Sequence, residues 1–219
     1  EQVLLSTFTS LNDDVKYEFE AKQVGKRSFK SLCLSYLSKL KAHQSLAIKT
    51  FEQSSNMTDT ALALSVIANG VDKEQKQSVF AGFYGAWKQD TQMVEQWLSI
   101  QARGDSTSLA DIKILMQHEA FDIKTPNKVR SVIGAFAMGN PVNFHAKDGS
   151  GYEFLADQIL LLNELNPQIA SRLCGALTHF KRYDDQRRDQ MLVQLNRINE
   201  CKTLSKDVKE VITRSIQSA

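Results

Sequence analysis

Hydrophobic residues recur every three or four positions along nearly the whole chain, which is the spacing of one face of an α-helix. The clearest example is the stretch 26–41, in which six residues form one apolar face: Phe29, Leu32, Cys33, Tyr36, Leu37 and Leu40. The basic residues of this stretch lie mostly off that face and are expected on a solvated surface: Lys26, Arg27, Lys30, Lys39 and Lys41. No segment alternates with period two, so the pattern predicts no sheet.

Capping residues, prolines and polar joints divide the chain into about a dozen predicted helices. Residues 1–12 are expected to be the end of a helix, and residues 13–24 a polar connection. Further helices are predicted to begin near residues 42, 58, 72, 90, 109, 125, 152, 166, 184 and 205. Gly82 and Gly85 are costly inside the helix that begins at residue 72, so we expect another helix to pack closely there.

Amphipathic helices joined by short connections favour antiparallel helix pairs. The pairs recur roughly every 30–40 residues, as in helical-repeat proteins. We therefore predict an all-α fold, a superhelical array of antiparallel helix pairs resembling a HEAT or armadillo solenoid. The expected organisation is a single domain over residues 1–219, with residues 1–24 as a loose start or linker.

Composition narrows the function classes. Hydrophobic residues make up 42% of the 219, and the formal net charge is +2, which favours a globular protein and disfavours a nucleic-acid partner. No apolar run reaches the ~20 residues that cross a membrane, so no membrane partner is expected. The three separated cysteines, Cys33, Cys174 and Cys201, indicate reduced thiols and a cytoplasmic location. Because residue 1 is Glu in a helical pattern, we expect a fragment of a longer protein.

Short motifs give no catalytic or metal-binding residue. His118-Glu119 begins like the zinc motif H-E-x-x-H, but Asp122 stands where the second histidine is required. The Gly149-Ser150-Gly151 stretch is too short for a phosphate-binding loop. Asp148 and Ser150 are expected to form a turn and cap the next helix, with the glycines at positive φ.

Two arginines occupy similar places on either side of the loop 140–152. Arg130 and Arg172 each lie about one turn inside a helix that opens with a capping residue and a proline, Thr125-Pro126 and Asn166-Pro167. Both could form surface or intramolecular ion pairs. Alternatively, both could bind an anion or a carboxylate, for which the planar guanidinium is suited.

Longer stretches resemble a known family. They are Asn127–Ala137 (NKVRSVIGAFA), Asn140–Tyr152 (NPVNFHAKDGSGY), Asn166–Leu173 (NPQIASRL), Lys181–Asp184 (KRYD) and Asn56–Asp59 (NMTD). Together they are similar to the C-terminal helical domain of the bacterial aminopeptidase N family, the M1 zinc metallopeptidases. The resemblance covers most of the chain and is strongest over residues 125–184.

The resemblance implies a parent enzyme that removes N-terminal amino acids from peptides, with zinc held by H-E-x-x-H in a separate catalytic domain. That motif and the family's G-x-M-E-N segment do not occur in this chain. The chain is therefore expected to be an inactive cap without a cofactor of its own, which partners the catalytic domain of the same polypeptide and its peptide substrates. By resemblance, Arg130 and Arg172, with Gln168, line the substrate channel. The alternative is a free-standing HEAT-like scaffold for another protein.

Overall fold

The computed structural model describes residues 1–12, 17–70 and 72–217, and within these ranges the chain is helical with no β-strand. The residues form two compact units, Glu1–Ser106 and Thr107–Ala219. No helix within the described ranges is long and apolar enough to cross a membrane. The all-α prediction is thus confirmed, whereas the single domain over residues 1–219 and the cytoplasmic location stay predictions.

The first unit holds six α-helices: α1 (Gln2–Ser10), α2 (Ala21–Leu37), α3 (Ser45–Gln53), α4 (Met57–Gly70), α5 (Lys73–Trp87) and α6 (Thr91–Arg103). Helix α4 is its centre, because α2, α3, α5 and α6 all pack against it. Its Ala63, Leu64 and Ile67 are completely buried. The predicted helix starts near residues 72 and 90 are confirmed, since the Asp72 and Asp90 carboxylates accept backbone N–H groups of the first turn.

The second unit holds the remaining helices: α7 (Leu109–Leu115), α8 (Pro126–Val129), α9 (Ala135–Gly139), α10 (Pro141–Phe144), α11 (Ser150–Leu165), α12 (Pro167–Thr178), α13 (Asp185–Asn199) and α14 (Lys206–Gln217). A π-helical turn, Arg130–Gly134, joins α8 to α9, so residues 126–139 form one helical rod. Helix α11 packs against α10, α12 and α13, and α14 closes the unit against α12 and α13.

The predicted core face of α2 is wrong in part. Cys33 and Leu37 are buried as expected, but Phe29, Leu32 and Tyr36 are 49%, 49% and 61% exposed. The buried face instead consists of Lys30, Cys33, Leu34 and Leu37. Two stripes with helical spacing overlap on this helix, and the fold buries the one that contains a lysine.

Lys30 is therefore not on the solvated basic face predicted for it. It is 8% exposed, and its Nζ lies 3.1 Å from Oδ2 of the buried Asp59 on α4. Helix α4 begins at Met57, close to the predicted start near residue 58, and Asn56 Oδ1 accepts the Asp59 N–H at 3.0 Å. A lysine can replace an apolar residue in the core here because the carboxylate compensates its charge.

The expected loose start over residues 1–24 also needs correction. Helix α1 spans Gln2–Ser10, in line with the predicted helical end, but α2 already begins at Ala21. Residues 17–20 lie outside helices, and residues 13–16 lie outside the described part of the chain. Helix α2 thus begins within the stretch that was predicted as a polar connection.

The close packing predicted at Gly82 and Gly85 is not found. A Cβ atom added at either glycine would meet no heavy atom of the described residues within 4 Å. Neither residue has a positive φ. These glycines therefore lie on an open face of α5.

Replacing Gly82 by alanine should stabilise the chain. Alanine restricts the unfolded backbone and favours the helix, with an expected gain of about 0.5–1 kcal/mol. The midpoint of thermal unfolding should rise by roughly 2–4 °C for a chain of this size. Gly85→Ala should act in the same direction, and a lower midpoint for both variants would show that this face is covered.

Candidate functional site

The three residues predicted to line a substrate channel, Arg130, Gln168 and Arg172, are all exposed in the second unit. The Arg130 guanidinium donates to the side-chain oxygen of Asn127, one turn earlier. Neither arginine forms an ion pair with a carboxylate of the described residues. Ion pairs of the two arginines are thus absent among the described residues, and both guanidiniums are available to bind another group.

Close helix packing brings the two arginine-bearing segments together. A Cβ atom on Gly134 would lie 3.7 Å from Leu173 Cδ2 and 3.9 Å from Arg130 Cβ. Gly134 ends the π turn that begins at Arg130, and Leu173 follows Arg172 in α12. The contact between Gly134 and Leu173 therefore packs the rod that carries Arg130 against α12, the helix that carries Arg172.

The helical rod over residues 126–139 and helix α12 begin on the same side of the unit, and each presents the positive end of its helix dipole there. Pro126 and Pro167 occupy the first turns of α8 and α12, and Asn166 Oδ1 accepts the Ile169 N–H at 3.2 Å. Thr125 occupies the N-cap of α8 as predicted, but its hydroxyl makes no capping hydrogen bond and instead donates to Asp122 Oδ2 at 2.8 Å. Helix N-termini carry partial positive charge, so they add to the attraction for an anion.

An apolar cavity of about 240 Å³ lies between these helix starts. Its apolar lining comes from the α8 start, the end of α11 and α12: Ile123, Pro126, Val129, Leu162, Leu165 and Ile169. The cavity is also lined by the polar residues Lys124 and Asn166, and Arg130, Gln168 and Arg172 are not among its lining residues.

The loop 140–152 serves the fold and provides no reactive group. Asp148 Oδ1 accepts from Ser150 N at 3.0 Å and Ser150 Oγ at 2.8 Å, which confirms the predicted turn. Only Gly149 has a positive φ, 74°, and it occupies the N-cap of α11 without a side-chain cap. The expected positive φ of Gly151 is wrong. Gly151 is required for space, since a Cβ there would lie 2.2 Å from the Phe144 carbonyl oxygen.

His145 connects this loop to the following helices. Its Nδ1 lies 2.9 Å from the Tyr152 hydroxyl, and its Nε2 lies 3.0 Å from the Tyr183 hydroxyl. One hydroxyl must accept and the other must donate, so the arrangement fits a neutral imidazole. Arg187 Nε donates to the His145 carbonyl oxygen at 2.9 Å. This network explains the histidine without a metal.

Burial controls the titration of this network. Desolvation, followed by the positive charge of Arg187, lowers the pKa of His145 below its usual value. Desolvation also raises the pKa of Tyr152 to about 12, against the opposing effect of Arg187. Both rings are therefore neutral at pH 7, which is the state that their mutual hydrogen bonds require.

The remaining candidate groups form no metal site. His118 lies in the turn after α7, where its Nδ1 accepts the Ala120 N–H at 3.0 Å. Within the described ranges, no group of three His, Cys, Asp or Glu side chains could hold a metal ion. Cys33 and Cys174 are buried, as predicted, and burial raises the pKa of Cys174 to about 12. The residues present therefore do not fit a zinc ion.

Sequence reasoning missed a cavity of about 460 Å³ in the first unit. Its polar lining includes the buried pair Lys30 and Asp59, and Asp59 Oδ1 has no hydrogen-bond partner among the residues that the structure describes. One signal was available in the sequence, because Lys30 is spaced at helical intervals from Cys33, Leu34 and Leu37. The cavity lies in the other unit from the arginine site.

Paired helices that pack through buried apolar faces define an all-α helical-repeat domain. Residues 1–217 match the family described as "Domain of unknown function (DUF3458_C) ARM repeats". The chain belongs to this family. The match confirms the predicted class of helical-repeat fold.

Curated relatives and solved structures point to one kind of enzyme. The chain is 38% identical to aminopeptidase N of Haemophilus influenzae over 96% of this chain, and 35% identical to that of Escherichia coli over 94%. It spans only 24% of the length of each. A crystal structure of Legionella pneumophila aminopeptidase A in complex with aspartic acid covers the whole chain with 27% of its own, at 33% identity and a TM-score of 0.88. The predicted resemblance to a domain of the aminopeptidase N family is confirmed.

Gly151→Ala should strongly destabilise the chain. The new methyl group would overlap the Phe144 carbonyl, and the backbone has to move, so we expect a loss of roughly 3 kcal/mol or more. Gly175→Ala is the matched control, because a Cβ at Gly175 in α12 meets nothing within 4 Å among the described residues. Urea unfolding measures both, and equal midpoints would contradict the close contact.

The stability of the chain should fall as the pH drops from 7 towards 5. The unfolded state protonates His145 near its ordinary pKa of about 6.5, while the folded state resists protonation until lower pH, so protons favour unfolding in this window. Above that window the contribution is fully present. NMR titration should give a pKa for His145 below 6.5, and His145→Gln should weaken the pH dependence of the urea midpoint. A pKa above 6.5 would contradict the neutral network.

Proposed function

We propose that the chain is the non-catalytic C-terminal cap domain of an M1 zinc aminopeptidase, an enzyme that removes N-terminal amino acids from peptides. In this role the chain partners the catalytic domain of the same polypeptide, encloses its active-site cavity and helps to admit and position peptides. The observation that carries the proposal is the extent of the match. Nearly all of this chain corresponds to about a quarter of each aminopeptidase compared with it.

The side chains present indicate that this chain contributes binding, while another part of the parent enzyme carries out the reaction. The described residues offer no set of ligands for zinc, so the metal and the bond-breaking chemistry belong to the rest of the parent enzyme. A domain without such groups contributes by binding and by shaping a cavity. This supports a cap over a separate catalytic domain.

Arg130, Arg172 and Gln168 are the residues we assign to the wall of the peptide channel. A peptide presents a carboxylate at one end and carbonyl oxygens along its length, and each of these accepts hydrogen bonds. Guanidinium and amide groups donate to such oxygens, and two positive helix ends strengthen the attraction. In an enclosed cavity with little water these interactions are stronger than on an open surface.

The chemistry of this wall suits substrate entry and orientation. None of the three side chains has a role in activating water or in protonating a leaving group. Their binding energy is available to the peptide before the reaction begins. We therefore expect them to affect KM for peptides more than kcat.

In the full-length parent, replacing Arg130 and Arg172 together by alanine should raise KM for short peptides about 10-fold or more. Loss of a hydrogen bond to a charged group costs about 1.5–3 kcal/mol. An aminoacyl-anilide has no terminal carboxylate, so its KM should change less. Steady-state kinetics with a tripeptide and with the anilide measure both effects.

Arg214→Ala is the matched control for the double variant. Arg214 is an exposed arginine near the end of α14, paired with Glu210 at 3.4 Å. Its removal should leave peptide KM unchanged. Unaltered peptide kinetics in the double variant would refute the channel assignment, and zinc-dependent anilide turnover by the isolated chain would refute the cap. A free-standing scaffold predicts no effect of this chain on peptidase activity.

A further inference from the structure

The cavity of about 460 Å³ in the first unit has a polar and mostly basic wall. The described residues that line it come mainly from α1, α2, α3 and the start of α4. Five of them are charged side chains: Lys26, Arg27, Lys30, Lys49 and Asp59. Four basic groups and one acidic group around one concave surface create a positive potential, because the low-dielectric walls of a cleft focus the field. The wall therefore favours an anionic ligand.

A buried ion pair forms part of this wall. Lys30 and Asp59 are 8% and 7% exposed, and Lys30 Nζ lies 3.1 Å from Asp59 Oδ2. Asn56 Nδ2 lies 3.4 Å from the same oxygen. Asp59 Oδ1 is also buried, yet it has no hydrogen-bond partner among the described residues. Buried carboxylate oxygens are normally hydrogen-bonded. A hydroxyl group of a ligand in the adjoining cavity would supply the donor that this oxygen needs.

The kinds of cation in the wall favour a phosphate group over a carboxylate. The Arg27 guanidinium already donates to Gln23 Oε1 at 2.9 Å and to the Glu18 carbonyl oxygen at 3.2 Å, so its fork is not free for a carboxylate. The other three basic residues are lysines, which bind phosphate as point charges. A phosphate monoester carries a charge of about −1.5 to −2 and three acceptor oxygens, so it interacts with several lysines at once.

Neutral polar side chains complete the wall and suit the uncharged part of a ligand. Asn12, Gln53 and Ser55 line the cavity, and their side chains make no hydrogen bond to another described residue. Amide and hydroxyl groups both donate and accept, as the hydroxyl groups of a sugar do. The cavity volume lies within the range of about 300–1,000 Å³ that small-molecule sites occupy.

We propose that this cavity binds a phosphorylated, hydroxyl-bearing small molecule of the sugar-phosphate class. The phosphate group pairs with the basic side chains, Lys49 among them, and the hydroxyl groups bond to Asp59 and to the neutral polar side chains. Lys49 is exposed and forms no ion pair within the described part of the chain, so its charge is available. The inference goes beyond the proposed function, because the cavity lies in the first unit and the arginine site in the second.

Isothermal titration calorimetry of the full-length parent tests the ligand class with three probes at one ionic strength, set with sodium chloride. The probes are ribose 5-phosphate, inorganic phosphate and ribose. We expect ribose 5-phosphate to bind several-fold more tightly than inorganic phosphate, because its hydroxyl groups add hydrogen bonds. Ribose, which lacks the charge, should give no measurable heat of binding. Raising the sodium chloride concentration should weaken the binding of both phosphates.

Substitutions locate the bound phosphate. Lys49→Ala should weaken the binding of ribose 5-phosphate about 10-fold, through loss of a charge-assisted hydrogen bond. Lys49→Arg keeps the positive charge and should retain most of the affinity. Lys88→Ala is the matched control, because Lys88 is an exposed lysine after α5 that does not line the cavity. It should leave the affinity unchanged.

Several results would overturn the proposal. One is the absence of binding by both phosphates, and another is an equal affinity for ribose 5-phosphate and inorganic phosphate, which would leave no part for the hydroxyl groups. An affinity that is unchanged in Lys49→Ala would place the ligand elsewhere in the enzyme. The variant that lacks Arg130 and Arg172 should bind ribose 5-phosphate normally, and a loss of binding there would assign the phosphate to the arginine site. Peptide kinetics test that site separately.

Discussion

The contact between the backbone of Gly151 and the carbonyl oxygen of Phe144 is the constraint on which the second unit depends. It lets α11 begin directly against the preceding loop, with no side chain between them. Phe144 and Tyr152 are then both fully buried, with their rings 5.3 Å apart and nearly perpendicular. That geometry brings His145 within reach of two tyrosine hydroxyls. A single absent methyl group thus allows an aromatic and hydrogen-bonded core that fixes the helices around it.

The arginine site depends on this core indirectly, through the helix that carries Arg130. Phe136 on α9 packs edge-on against Phe144, with ring centroids 5.8 Å apart, so the rod that carries Arg130 is anchored to the loop. At its other side, Gly134 contacts Leu173 of α12. Such a base lets charged groups at the surface keep their relative positions, which binding by several weak contacts requires.

Helix starts were predictable from local signals, although Thr125 makes no capping hydrogen bond, whereas contacts between distant residues were not predictable. The caps by Asp72, Asp90 and Asn166 depend on residues two or three positions away, so the sequence is sufficient to predict them. The choice between the two apolar stripes of α2 depends on Asp59, 29 residues after Lys30. Gly82 shows the same limit of sequence-based prediction. A glycine in a helix is compatible with a close helix–helix contact and with an open face, and the sequence alone does not distinguish the two.

The candidate site was predictable to a similar degree. The positions of Arg130 and Arg172 after cap-and-proline starts are local, and their proposed role came from the family resemblance. The cavity between the starts of α8 and α12 was not predictable, because its walls come from segments about 40 residues apart. The tautomeric pairing of His145 with Tyr152 and Tyr183 likewise forms only when distant parts of the chain meet.

The π turn at Arg130–Gly134 has a consequence for how this region tolerates insertions and deletions. A π turn contains one residue more than the α-helical turn that it replaces. Deleting one residue within it would restore a plain α-helix, and because the π turn absorbs its extra residue locally, the buried residues on either side of it, Val129 and Phe136, would keep their faces. The spacing inside the turn would change instead, so that Arg130 would lie three positions, not four, before the glycine that contacts Leu173. An alignment gap of one residue, placed inside what reads as an ordinary helix, therefore marks the loss of the π turn while the helix and its core remain intact.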